Sequence, residues 1–188
     1  MNNLRITIPK PILEYAKFSY GYYVPQKRRS GFYEIKGQSR GDGDLSDLIG
    51  KLTLFDYLAK KNKVCGMEMI CGQGDSLDLS IQINNKKISW NIKTSAYSPY
   101  RQGLNLFIKK EEIEKNINGY IQVFVHLNEE SDPEPHIHVA GCVIKNSKNW
   151  EKNKNIICIP KTGHYGIKVP VEDLKPFETL ALCADEKF

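Results

Sequence analysis

Asp78, Asn91 and Lys93 are the residues whose types and spacing point most directly to chemistry. Asp78 opens an alternating run that reaches Ile83, Asn84-Asn85 is turn-forming, and Asn91-Ile92-Lys93 lies on the returning segment. On a strand, positions 91 and 93 project from one face while the apolar Ile92 turns to the core. A carboxylate, an amide oxygen and an ammonium directed to one place suit a divalent cation beside a phosphodiester. Hard oxygens hold Mg²⁺, and the ammonium stands near the attacking water and the scissile phosphate. The backbone carbonyl of Ile92 is a further hard oxygen. The alternative is a surface cross-strand pair of Asp78 and Lys93, which is worth little energetically.

Other groups could join them. Glu68 and Asp75 are carboxylates close to the hairpin, each read either as a metal ligand or as a solvated charge. His136 and His138 alternate on a strand and share a face, which suits a metal, but no third ligand is evident nearby. They read better as two solvent-facing histidines. Between Gly21 and Gly43, Lys27, Arg28, Arg29, Lys36 and Arg40 are interleaved with Tyr22, Tyr23, Phe32 and Tyr33. Cations beside stacking rings form either a phosphate-contacting arm or a surface segment packed on the domain. No P-loop, dinucleotide-binding glycine pattern or nucleophile elbow is present.

The elements that must position these residues are legible from periodicity. Leu4 to Ile8 alternates, then Pro9 and Pro11 break it, and a short helix is expected from Pro11 to about Tyr20. Leu45, Leu48, Ile49, Leu52, Phe55, Leu58 and Ala59 recur at helical spacing, predicting a helix from Asp44 to about Lys61. Strands are expected over Val64–Ile70, Asp78–Ile83, Lys87–Thr94, Leu104–Ile108, Tyr120–Leu127, His136–Val143 and Tyr165–Val169. Lys109–Asn116 reads as a short charged helix, and Val171–Leu180 as a closing helix after the turn at Thr162-Gly-His164. The fold class is therefore α/β or α+β, with a mixed sheet flanked by helices.

The 188 residues suit a single domain, 1–188, made of an arm (1–43) and a core (44–180). Hydrophobic residues at 40% and charged residues at 26% make disorder a poor default. No apolar run approaches the ~20 residues that cross a bilayer, and the N-terminus lacks a signal-peptide core. A cytoplasmic, intracellular protein without a membrane partner is expected. The five cysteines are scattered with no CxxC pair, so most are expected to act as small core hydrophobes rather than as disulfides or zinc ligands. A net charge of +5 fits a polyanionic partner without requiring one.

Gly74-Asp75-Ser-Leu-Asp78-Leu-Ser-Ile81, a turn, and Trp90-Asn91-Ile92-Lys93-Thr94-Ser95 together resemble the PD-(D/E)XK nuclease superfamily, the fold of many restriction endonucleases and Holliday-junction resolvases. The resemblance extends loosely over residues 44–180 and is specific only over Asp78–Ser95. It implies a restriction-endonuclease-like core and a Mg²⁺-dependent deoxyribonuclease, with Mn²⁺ as a substitute, acting on double-stranded DNA as an enzyme of restriction, phage biology or repair. Asp78, the Asn91 side chain and the Ile92 carbonyl would hold the metal, and Lys93 would orient the water and stabilise charge on the phosphate. Asn91 stands where the family usually has Asp or Glu. Its amide oxygen is able to coordinate Mg²⁺ with one negative charge fewer. Relatives often carry Gly-Glu where this chain reads Thr53-Leu54. Asp47, seven residues before Leu54 and on a similar helical face, is either a replacement ligand or a first-turn carboxylate favoured by the helix dipole. Thr94, Ser95, Tyr97 and Arg101, with Lys27, Arg28, Arg29 and Arg40, would contact the nucleic acid; the alternative for residues 94–101 is an ordinary polar loop. A homodimer is compatible with this class. The competing readings are a catalytically degenerate DNA- or protein-binding module, and a nuclease acting on RNA.

Overall fold

The computed structural model describes residues 4–16, 18, 40–61, 66–70, 76–83, 86–96, 104–114, 116–127, 134–159 and 164–177. At 40–44, 66–70, 76–83, 86–87, 96, 159 and 164 it describes the backbone alone. In chain order the elements are β1 (Leu4–Thr7), α1 (residues 10–16), α2 (Arg40–Lys60), β2 (Gly66–Ile70), β3 (Ser76–Ile83) and β4 (Lys86–Ala96). They continue with β5 (Asn105–Lys109), α3 (Lys110–Ile113), β6 (Gly119–His126), β7 (His136–Ile144), α4 (Lys148–Asn153), β8 (Ile156–Ile159) and β9 (His164–Pro170). The fold is mixed α and β, with a mixed sheet flanked by helices. No helix among the described residues is long and apolar enough to cross a membrane.

Six strands form the main sheet in the order β1-β7-β6-β4-β3-β2, and β5-β9-β8 form a smaller one. All neighbours in the main sheet are antiparallel except β4 and β6, which run parallel. Parallel neighbours need a crossover connection. Here β5 and α3 supply it and cover one face of the sheet. β6 lies at the centre and is buried along nearly its whole length, so its sequence is almost continuously apolar.

The two faces of the sheet carry separate cores. On one, Ile49, Leu54 and Leu58 of α2 pack with Trp90, Ile92, Ile121, Val123 and Val125. On the other, Leu106, Ile108, Ile167 and Val169 from the small sheet pack with Tyr120, Val143 and Trp150. Full burial of a side chain such as Leu54 or Ile167 contributes roughly 1.5–3 kcal/mol. Strand alternation divides neighbouring residues between these cores: Trp90 and Ile92 belong to the first, so Asn91 and Lys93 must face the second.

Several local expectations need correction. Val171–Leu180 does not start as an α-helix: Val171–Asp173 is a single 3₁₀ turn, and Leu174 is already extended. Pro176 disfavours helical backbone at Lys175, whose amide and carbonyl instead pair with Cys142 at 2.8 and 2.9 Å. The charged helix is shorter than expected and ends at Ile113, whose carbonyl accepts from the Lys145 ammonium at 2.8 Å. Cys142 is buried, as a core thiol should be, but Cys158 on β8 is exposed. Sequence periodicity also missed α4, although Ser147 caps it by accepting from the Trp150 amide. It missed β8 as well, a four-residue run too short to declare itself.

Candidate functional site

β3 and β4 pair in the register that sets position 78 directly opposite Asn91. On the far side of β3, position 68 lies opposite 78, and on the far side of β4, Tyr120 lies beside Asn91. Cross-strand neighbours share a face. Glu68, Asp78, Asn91 and Tyr120 therefore form one transverse row, with Lys93 two residues further along β4. The β3–β4 ladder ends at the 78–91 pair, whereas β4 continues to Ala96 paired with β6. The β3–β4 pairing thus stops short of Ile92 and Lys93, which among the described residues are paired only with β6.

Asn91 is completely buried. Its Oδ1 accepts no hydrogen bond among the described residues, and the residue makes a further polar contact of its own. Burying an amide is costly unless its polar atoms are used. Lys93 is mostly buried and forms an ion pair with Glu112 on α3, which is more buried still. Glu112 is held at two other atoms. Its Oε2 accepts from the Lys109 amide at 3.0 Å, and its carbonyl accepts from the Tyr120 hydroxyl at 2.7 Å. Tyr120 in turn stacks on Trp150, with centroids 5.9 Å apart and planes within 3°.

Asp47 lies on the other face of the sheet. Its Oδ1 accepts from Thr94 Oγ1 at 2.5 Å and its Oδ2 from Lys51 Nζ at 2.6 Å. Gly50 makes this close approach of α2 to β4 possible, since a Cβ there would meet the Thr94 methyl at 2.7 Å. Both Asp47 and Thr94 are thus occupied in joining helix to sheet, away from the row containing Asn91. Ser95 follows on the Lys93 face, beside Phe124. Arg40 lies at the start of α2. Asp75, Lys27, Arg28, Arg29, Tyr97 and Arg101 fall outside the described residues.

His136 and His138 do share a face, and His126 joins them from β6, directly opposite His136. The His126 and His136 rings stack 4.2 Å apart and 16° from parallel, with His138 at 6.3 Å from His126. Stacked rings do not aim their nitrogens at a common point. His136 is buried rather than solvent-facing, its Nδ1 2.9 Å from the Glu134 carbonyl. Burial, then the neighbouring His136 and Arg5, hold the His138 pKa below the ordinary 6.5.

Among the described residues no group of three or more His, Cys, Asp or Glu is arranged to hold a metal ion. By sequence, positions 68 and 78 of the row are Glu and Asp, which with the buried amide at 91 and the Ile92 carbonyl are residue types whose hard oxygens Mg²⁺ and Mn²⁺ accept. That donor chemistry fits a hard divalent ion. Sequence reasoning missed Glu112, because in Lys109–Asn116 nothing distinguishes it from Glu111 or Glu114. Only the crossover shows which carboxylate returns to β4. Compared with family models, curated proteins and solved structures, the chain matches none.

Proposed function

We propose that this chain is a metal-dependent DNA endonuclease of the PD-(D/E)XK type, hydrolysing phosphodiester bonds. The observation that carries the reading is the register: position 78 opposite Asn91, with Lys93 two residues along the same face. The mixed sheet with flanking helices and the net charge of +5 are consistent with it. Asp78, Asn91 and the Ile92 carbonyl would hold Mg²⁺ or Mn²⁺. The ion, when bound, lowers the pKa of a coordinated water and neutralises charge on the phosphate. Lys93 would donate a hydrogen bond to the attacking water or a non-bridging phosphate oxygen, stabilising charge that grows as the new P–O bond forms and the bond to the sugar oxygen breaks. Burial of Asn91 and partial burial of Lys93 strengthen both interactions relative to bulk water.

The reading is tested by incubating supercoiled and linear DNA with the protein in Mg²⁺ or Mn²⁺, alongside Lys93→Ala and Asn91→Asp. Cleavage should fall by about 100-fold or more in Lys93→Ala, as for loss of one charge-stabilising donor, and rise in Asn91→Asp. Absence of cleavage by both parent and Asn91→Asp, with DNA binding intact, would replace the enzyme with a binding module that keeps the amide for its fold.

A further inference from the structure

We propose that Glu112 completes this site as a positioning residue: it orients Lys93 and supplies the negative charge that the amide at 91 lacks. The inference rests on the nuclease reading above. A hard divalent ion needs a net negative pocket. By sequence, Glu68, Asp78 and Lys93 sum to −1, and Asn91 adds nothing. Adding Glu112 brings that count to −2, the value an Asp or Glu at 91 would give without it. The carboxylate is suitably placed, because the ion pair ties it to the same ammonium that stands two residues from Asn91.

Its attachment also goes beyond that of an ordinary surface pair. The Lys109 amide holds the second carboxylate oxygen, and the Tyr120 hydroxyl holds the backbone of the same residue. Tyr120 is itself the β6 neighbour of Asn91. Lys145 secures the next carbonyl, at Ile113. A four-residue helix is thus held by three hydrogen bonds at two successive residues, Glu112 and Ile113, one of them its own capping box. Such anchoring limits the rotamers open to Glu112, so little ordering remains to be done when substrate arrives. Glu111 and Glu114, on either side, are exposed.

The test is calorimetric titration of Mn²⁺ alone into the full chain, with no nucleic acid and no turnover. Parent, Glu112→Gln, Asn91→Asp and the double variant are compared, with thermal denaturation of each. Glu112→Gln should bind Mn²⁺ about tenfold more weakly, for loss of one nearby charge. Asn91→Asp should bind about tenfold more tightly, and the double variant should return to within about threefold of the parent. Glutamine keeps the length of the side chain and an acceptor for the Lys109 amide. If it unfolds the chain, Glu112→Asp against Glu112→Asn repeats the charge comparison at equal shape. Parent-like Mn²⁺ binding by Glu112→Gln, with only the melting temperature lowered, would overturn the proposal and leave the nuclease reading standing. No Mn²⁺ binding by parent or Asn91→Asp would overturn both.

Discussion

Two lysine–carboxylate pairs flank β4 on opposite faces, and their differences separate structure from chemistry. Lys51 and Asp47 lie one turn apart on α2, and Asp47 also binds Thr94 of β4. Lys93 and Glu112 come together from β4 and α3, nineteen residues apart. The Lys51 side chain is 3% exposed and its partner Asp47 34%, whereas Lys93 and Glu112 are 22% and 13% exposed and lie just past the end of the β3–β4 ladder. Both Asp47 oxygens are engaged, one by Thr94 and one by the buried Lys51, so the first pair serves cohesion between helix and sheet. The second retains access and lies beside a buried amide and two acidic register positions. The lesson is that a carboxylate near a nuclease-like motif in sequence, such as Asp47, is less informative than the face of the strand to which it returns.

Breaking the Lys51–Asp47 pair should have the largest effect on stability, because Lys51 is buried. Asp47→Ala leaves Lys51 buried without its partner and Thr94 without its acceptor. Urea denaturation should show a loss of about 3 kcal/mol, the low end of the range for one-sided removal from a buried pair. Mn²⁺ affinity should stay unchanged. A large loss of Mn²⁺ binding in folded Asp47→Ala would return Asp47 to the site and collapse the comparison.

Thr94→Val removes only the hydroxyl at nearly constant volume. It should cost about 1 kcal/mol by the same measurement, the typical net value of one hydrogen bond. Glu112→Ala should cost a similar amount, about 1 kcal/mol, above most exposed pairs and below a fully buried one, because Lys93 is more exposed than Lys51. A Glu112→Ala loss as large as that of Asp47→Ala would make the two pairs equivalent and remove the distinction.

The smallest effect concerns the histidines further along the Lys93 face. His138 has its pKa depressed in the fold by burial, by His136 and by Arg5, so below about pH 6.5 the unfolded chain binds the extra proton first. Its contribution is present above that value and is lost as the pH falls through it. The melting temperature should therefore decline between about pH 7 and pH 5, and His138→Gln should flatten that decline. An unchanged slope in the variant would assign it to other groups.

Much of the framework was readable in advance. Seven strands and the main helix follow from alternation and from apolar residues at helical spacing, and their limits shift by only a few residues in the fold. The hairpin holding position 78 against Asn91 was legible too, because a two-residue turn that sets Ile83 opposite Lys86 also sets position 78 opposite Asn91. Less legible were features whose cause lies far along the chain. The 3₁₀ turn at Val171–Asp173 gives way to extended chain because Lys175 pairs with Cys142, on β7. Close packing at Gly141, with φ of 142° and Lys175 O 2.5 Å from where a Cβ would lie, belongs to the same distant contact.

The sequence by itself determined which residues of β4 share a face, since alternation is a property of the extended backbone. It thereby set Asn91 and Lys93 together and turned Ile92 away. Only the tertiary structure decided which carboxylates meet that face. The parallel pairing of β4 and β6 requires a crossover, and that crossover brings Glu112 to Lys93 while α2 keeps Asp47 on the opposite side. Strand periodicity is local physics, fixed within a few residues. The choice of partner across a sheet depends on how the whole chain closes, and no short window of sequence contains it.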